Sequence, residues 1–358
     1  MSHCRERYLA LVMHGPKGLP GFLILWSLRP LSYIFGLIVA LRSWLYHKGW
    51  IPSYRSGVPV ISVGNLVVGG TGKTPVVDAL VKQLIKRGMR VAVVSRGYRG
   101  SFKGESGRVT AVGVGEEVST PEAAGDEPFL LAQKNPFAHV YVARKRRFGV
   151  AAAEADGAEC IVLDDAFQHL AVARDLDVVL LDARNPFGNG LLLPAGLLRE
   201  PRSALKRADL LILTHSHERG DSLLKESATV RCRHRLAGYL LNAEGCSVPW
   251  SQVAGSRCLA FAGIARPDDF FLELRGKGCD LLHALPLADH QEYDPDLLKR
   301  ISKASQNVDF ILTTEKDAVK LRGIGFPKPC LTVPLELEFE QFEIIEKLLD
   351  NLLKSYAK

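Results

Sequence analysis

Residues 64–74 read GNLVVGGTGKT, and the fold class follows from what stands on either side of them. An apolar run, VPVISV at 58–63, leads in, and a helical pattern from about 73 to 87 leads out. A glycine-rich turn between a buried strand and a helix is the setting of a phosphate loop, because glycines let successive backbone N–H groups point inward at phosphate oxygens. On this reading Gly69, Gly70, Thr71 and Gly72 line the phosphates, Lys73 adds charge near the β and γ positions, and Thr74 presents a hydroxyl to Mg²⁺ at the helix amino terminus. The strict pattern GxxxxGK[ST] has glycine where this chain has Val67, and the related KGGxGK[ST] pattern has lysine where it has Val68. The competing reading is a glycine-rich turn with an incidental lysine, and the strand and helix flanks favour the loop.

Strands and helices go on alternating downstream. Strand candidates at 91–95, 160–163, 178–181 and 210–213, with helical stretches near 122–134 and 145–156, give the βαβ rhythm of a parallel sheet. A Mg²⁺ site needs a carboxylate at the carboxyl end of a neighbouring strand, and CIVL at 160–163 is followed by Asp164 and Asp165. Two adjacent carboxylates after a buried strand are costly unless a cation or hydrogen-bond donors satisfy them; the alternative is an acidic helix cap. Residues 216–256 read as irregular, polar and charged. A second alternating set follows, with strands at 259–262, 310–313 and 331–333 and helices near 267–276, 294–304 and 339–354. The expected organisation is an amino-terminal helical segment at 1–50, a P-loop nucleotide-binding domain at 51–215, a linker region at 216–256 and a smaller α/β domain at 257–358.

Composition narrows the partners. The chain has 358 residues, 47% hydrophobic and 24% charged, which excludes disorder and collagen-like repeats. Seven cysteines form no CxxC pair and no zinc-ligand spacing, and an odd count argues for a reduced compartment. A formal charge of +7 favours anionic partners such as nucleotides or acidic lipid. The most apolar and aromatic stretch is GFLILWSLRPLSYIFGLIVALRSWLYHKGW at 21–50, interrupted by Arg29, Pro30 and Arg42. Its uncharged run at 30–41 falls short of the roughly 18–20 residues needed to cross hydrocarbon. Leu31, Ile34, Phe35, Ile38, Leu41 and Leu45 share one helical stripe, with basic residues at the ends, which suits a helix lying in the membrane interface or one docked on a core or a second copy.

Asp126 in GDEP, the basic run at 144–147 and Asp289-His290 have ordinary readings as a helix cap, a solvated face and a loop. Together with the loop, however, the segments ISVGNLVVGGTGKTP at 61–75, SRGYRG at 95–100, GDEPFLLA at 125–132, LDDAFQH at 163–169, LLPAGLLREP at 192–201, DHQEYD at 289–294 and ILTTEKDAVKL at 311–321 resemble the tetraacyldisaccharide 4′-kinase family. The resemblance runs through nearly the whole chain in order. It implies two α/β/α sandwich domains, the first P-loop NTPase-like, an amino-terminal interfacial helix, and an active site in the cleft between the domains. It also implies an ATP- and Mg²⁺-dependent lipid kinase acting on the 4′-hydroxyl of a tetraacylated glucosamine disaccharide 1-phosphate in lipid A biosynthesis, at the cytoplasmic face of the bacterial inner membrane.

Carried onto this chain, the resemblance makes Lys73 and Thr74 the nucleotide and Mg²⁺ residues and Asp164 and Asp165 the second acidic motif. Gln168 lines the site, Asp126 is the general base acting with His290, and Arg199 and Glu200 lie near the cleft. At 166 the family pattern has glycine, and this chain has Ala166. The rival from another class is a P-loop GTPase or metallochaperone, but LILTH at 211–215 is not followed by an NKxD-type guanine motif. A nucleic-acid reading of the basic run lacks a reader motif, and no protein partner is implied.

Overall fold

Runs of valine, isoleucine and leucine without polar interruption form strands covered on both faces, and such runs build the centre of this molecule. The computed structural model describes residues 18–110, 118–215 and 228–356, together with Tyr8, Leu11, Val12 and Gly15. The strands of the first half are β1 (Val60–Asn65), β2 (Val91–Ser95), β3 (Gly107–Val109), β4 (His139–Val142), β5 (Cys160–Asp164), β6 (Leu176–Asp182), β7 (Leu210–Thr214) and β8 (Ala228–Leu236). A second set comprises β9 (Tyr239–Leu241), β10 (Ser247–Pro249), β11 (Arg257–Ala262), β12 (Asp280–Pro286), β13 (Phe310–Thr314) and β14 (Cys330–Val333). After it the chain returns to the first sheet with β15 (Leu335–Glu340).

The first sheet runs β15-β8-β7-β6-β1-β5-β2-β4-β3, and the second β10-β9-β14-β13-β11-β12. β1 is flanked by β5 and β6, both parallel to it, so the loop after β1 and the acidic pair after β5 emerge side by side at the carboxyl edge. That is where ligands bind in open α/β sheets. The helix Lys73–Lys86 buries Val76, Val77, Leu80, Val81 and Leu84, one face at helical spacing, in the first core.

Three expectations are corrected. The segment 228–256 is not irregular: it holds β8, β9 and β10, while 216–227 lies outside the described residues. Its charged clusters belong to a sheet edge, where Arg231, Arg233 and Arg235 of β8 pair with Glu338 and Glu340 of antiparallel β15. Such cross-strand ion pairs read as loop polarity when the partner strand is about a hundred residues away. The helix read at 339–354 begins at Phe342, because LELEFE before it alternates as a strand. β15 belongs to the first sheet and this helix packs on it, with Ile345, Leu349 and Leu352 in the first core, so 257–358 is not one unit by sheet membership.

The third correction concerns the amino terminus. Pro30 does not break the helix, which runs continuously over Gly18–His47, 30 residues long. By length and composition it meets the requirement for crossing a membrane that the uncharged run alone does not. The face turned to the protein carries small residues: Ser32 Oγ donates to Leu192 O (2.7 Å) and accepts from Ala195 N (2.9 Å), and Gly36 lies against Leu192. Leu31, Ile34, Ile38 and Leu41 of the expected stripe face outward and are exposed, with Phe22, Trp26 and Leu37. A contiguous apolar surface of this kind marks an interaction site.

Candidate active site

The phosphate loop is held from behind. The Asn65 side-chain amide donates to Thr71 Oγ1 (3.0 Å) and to Gly69 O (3.4 Å), and Val68 N donates to Leu197 O (2.8 Å). Gly72 then takes a left-handed conformation (φ 77) that a side chain would strain, and the helix Lys73–Lys86 starts at the next residue. Lys73 Nζ lies 3.6 Å from Asp165 Oδ1, and Arg199 Nη1 donates to the same oxygen at 2.8 Å. Gln168 braces this group, donating to Asn65 O (2.9 Å) and accepting from Arg199 (3.5 Å). The left-handed residue after β5 is Asp165 (φ 48), and Ala166 next to it is buried in a core cluster with Leu163 and Val172.

The two carboxylates of the acidic pair differ. Burial works to raise Asp165, but Lys73 and Arg199 outweigh it and hold its carboxyl below the usual range. Asp164 is buried, takes one hydrogen bond from Ser95 Oγ (3.1 Å) and leaves its Oδ1 without a partner. Burial, with the charges of Glu127 and Asp165, pushes it up to about 6, against Lys73 and Arg146. A buried carboxylate oxygen without a donor suits a cation that keeps most of its ligands as water and phosphate. Among the described residues no group of three or more His, Cys, Asp or Glu is placed to hold a metal by itself.

A pH dependence follows. In the unfolded chain an aspartate titrates near 3.9, roughly. The native state therefore holds the Asp164 proton more tightly, and its ionisation destabilises the apo fold as pH rises through about 6. A bound cation offsets this above that pH. Asp164→Asn should melt no lower than the wild type in the absence of ligand, yet lose the thermal shift produced by Mg²⁺ with ADP. The wild-type shift should shrink as pH falls below about 6, and an unchanged shift in the variant removes Asp164 from the metal.

A second charged group is built around Asp126 and His290. Gly125 (φ 91) ends the short helix Pro121–Ala124 and lets Asp126 open the helix Asp126–Lys134, whose amino-terminal dipole favours a carboxylate. His290 Nδ1 lies 3.3 Å from Asp126 Oδ2, Lys320 Nζ 3.1 Å from the same oxygen, and Lys316 Nζ 3.2 Å from His290 Nε2. Since a lysine ammonium only donates, Nε2 accepts and Nδ1–H donates to Asp126. Burial works to raise the Asp126 carboxyl, but His290 and Lys320 outweigh it and keep it below the ordinary range, hence ionised. The two sheets thus supply opposite halves of one pair.

The tetraacyldisaccharide-1-P 4′-kinase family model matches residues 24–354. The chain belongs to this family. It is 47% identical over 350 residues to the tetraacyldisaccharide 4′-kinase of Syntrophotalea carbinolica, covering 97% of this chain and 98% of that protein. It is 42% identical over 323 residues to that of Geobacter sulfurreducens, covering 89% and 91%. A crystal structure of LpxK from Aquifex aeolicus in complex with ATP superposes with a TM-score of 0.78 at 32% identity, over 92% of this chain and 99% of that one.

In this tetraacyldisaccharide-1-P 4′-kinase family member, the structure separates two neighbours that the sequence placed together. Arg199 faces Asp165, whereas Glu200 is buried against Arg207 (2.7 Å) and lines a cavity of about 600 Å³ between the amino-terminal helix and the body. Residues not singled out in the sequence also enter the site. Lys316 and Lys320, one helical turn apart, neutralise Glu127 (3.5 Å) and Asp126, and Arg99 donates to His290 O (2.8 Å). Their signal was present in SRGYRG and TTEKDAVKL, but nothing in spacing alone says that a lysine 194 positions from Asp126 reaches it.

Proposed function

We propose that the chain transfers the γ-phosphate of ATP to the 4′-hydroxyl of a tetraacylated glucosamine disaccharide 1-phosphate, at the cytoplasmic face of the inner membrane. The observation that carries this reading is an ionised carboxylate, Asp126, paired with His290 and Lys320 and not with Lys73 and Arg199, the cations that hold Asp165. Lys73 stabilises charge on the transferred group, Asp164 and Thr74 would hold Mg²⁺, and Asp165, itself held by Arg199, positions Lys73. Mg²⁺, when held there, would supply neutralisation of charge on the transferring phosphoryl group. Asp126 takes the proton of the attacking hydroxyl, with His290 orienting it. The exposed apolar face of the helix Gly18–His47 brings this edge to acylated substrate.

ADP release from MgATP should depend on the tetraacyl disaccharide 1-phosphate in mixed micelles, and lipid-independent turnover of GTP would favour the switch-like NTPase reading instead. A chain truncated to begin at Ile51 should lose membrane association and detergent dependence while still binding MgATP. Apolar burial and the attraction of Arg29, Arg42 and Lys48 to anionic lipid go with the helix. Undiminished pelleting of the truncated chain with membranes places the anchoring surface elsewhere.

A further inference from the structure

On the far side of β1 from Asp164, the ends of β6, β7 and β8 carry a second titratable cluster that phosphoryl transfer leaves unused. β6 ends in Asp182, β7 is followed by His215 in a left-handed conformation (φ 56), and β8 contributes His234. His215 Nδ1 lies 3.5 Å from Asp182 Oδ2, and His215 Nε2 lies 3.0 Å from His234 Nδ1. The far nitrogen, His234 Nε2, is buried and has no hydrogen-bond partner among the described residues. It reaches the phosphate loop: a Cβ built on Gly72 would stand 2.5 Å from it. Arg184 (3.2 Å) and Arg266 (3.0 Å) also hold Asp182, and Arg184 reaches Asp269 (2.9 Å). Opposite His234 on β15 is the uncharged Leu337.

Two of the proton arrangements open to this chain of contacts keep a proton on His215 Nδ1, toward the Asp182 carboxylate. With one proton on each ring, His215 Nδ1–H faces Asp182, His234 Nδ1–H donates to His215 Nε2, and His234 Nε2 is a bare lone pair at the loop. With one proton more, His215 is an imidazolium beside Asp182, donates through Nε2 to His234 Nδ1, and leaves His234 with Nε2–H as a donor at the loop. A lone pair repels a phosphate oxygen, and an N–H binds it.

We propose that His234 is a nucleotide-phosphate contact whose donor is created by uptake of one proton onto the His215–His234 pair when the nucleotide binds. The proton comes from the buffer, one N–H bond forms, and no other covalent bond changes. Burial and the charge of His215 push the His234 imidazole down to about 4, so the added charge is not held on His234. Asp182, held well below the carboxylate range mainly by His215 and Arg184 against its burial, remains an anion to receive it. The inference rests on the reading of residues 64–74 as a phosphate loop.

Calorimetric titration of the detergent-solubilised full chain with MgADP, in two buffers of different ionisation enthalpy near neutral pH, measures it. The wild type should take up roughly half to one proton more than His234→Phe, and its affinity should rise by up to about tenfold per unit fall in pH. His234→Phe should bind MgADP about three- to tenfold more weakly, with that pH dependence gone. His234→Gln, an N–H donor that does not titrate, should restore affinity without restoring proton uptake. On the wild type alone, the ring ¹⁵N signal of His234 Nε2 should move from unprotonated to protonated on adding MgADP, so the outcome does not depend on variant folding. Equal proton uptake in wild type and His234→Phe, or an Nε2 that stays unprotonated, overturns the proposal while leaving the kinase reading intact. Failure of the wild type to bind MgADP overturns both.

Discussion

Asp126→Ala is expected to lose about 10²–10⁴-fold in kcat, the range for removal of a general base, with a much smaller change in the KM for ATP. A sugar hydroxyl is a weak nucleophile that must shed its proton as the new P–O bond forms. Asp164 and Asp165 suit that task less well, one being buried and proposed for the cation and the other held by Lys73 and Arg199. A carboxylate bound to a metal is also a weaker base. Asp126 is held by His290 and Lys320 instead and is ionised at neutral pH. His290 contacts it directly, so His290→Ala should lose less, and the double variant little more than Asp126→Ala, because residues acting as a unit are not additive. A loss confined to ATP affinity makes Asp126 a nucleotide or metal ligand, and full additivity breaks the pairing with His290.

Lys73→Ala should leave a folded protein with almost no turnover, down about 10²-fold or more in kcat, since phosphoryl transfer relies on positioning and on charge at the γ-phosphate. The fold survives because Asp165 keeps Arg199 at 2.8 Å when Lys73 is gone, so no uncompensated carboxylate is left behind. Melting temperature and lipid-dependent ADP release together decide this. Near-normal activity in a well-folded variant sinks the phosphate-loop assignment.

The sequence was most informative where local chemistry and local structure coincide. The loop, the strands at 91–95 and 210–213 and the helix at 267–276 could be read closely because their apolar runs and punctuation are continuous in the chain. β8 and β15 were lost because their stability lies in each other's charges, a contact between residues about a hundred positions apart. The stripe on the amino-terminal helix was visible, but its direction was not. Apolar residues on a helix look alike whether they face a core or a bilayer, and only the docking of Ser32 and Gly36 onto Leu192 turns Leu31, Ile34 and Ile38 outward. In the active site, Asp126 and His290 were paired through the family resemblance, whereas Lys316 and Lys320, which tune that pair, were not. Lysine on an amphipathic turn after a strand has no signature of its own until the fold brings a carboxylate to it.

The central claim is transfer from ATP to one hydroxyl of an acylated disaccharide. It is tested most directly by incubating the full-length chain with γ-labelled MgATP and two acceptors, a tetraacyl disaccharide 1-phosphate and its 4′-deoxy analogue. Label should appear in the first lipid and not in the second, and an acceptor-independent release of labelled phosphate, or equal labelling of the 4′-deoxy analogue, contradicts the account.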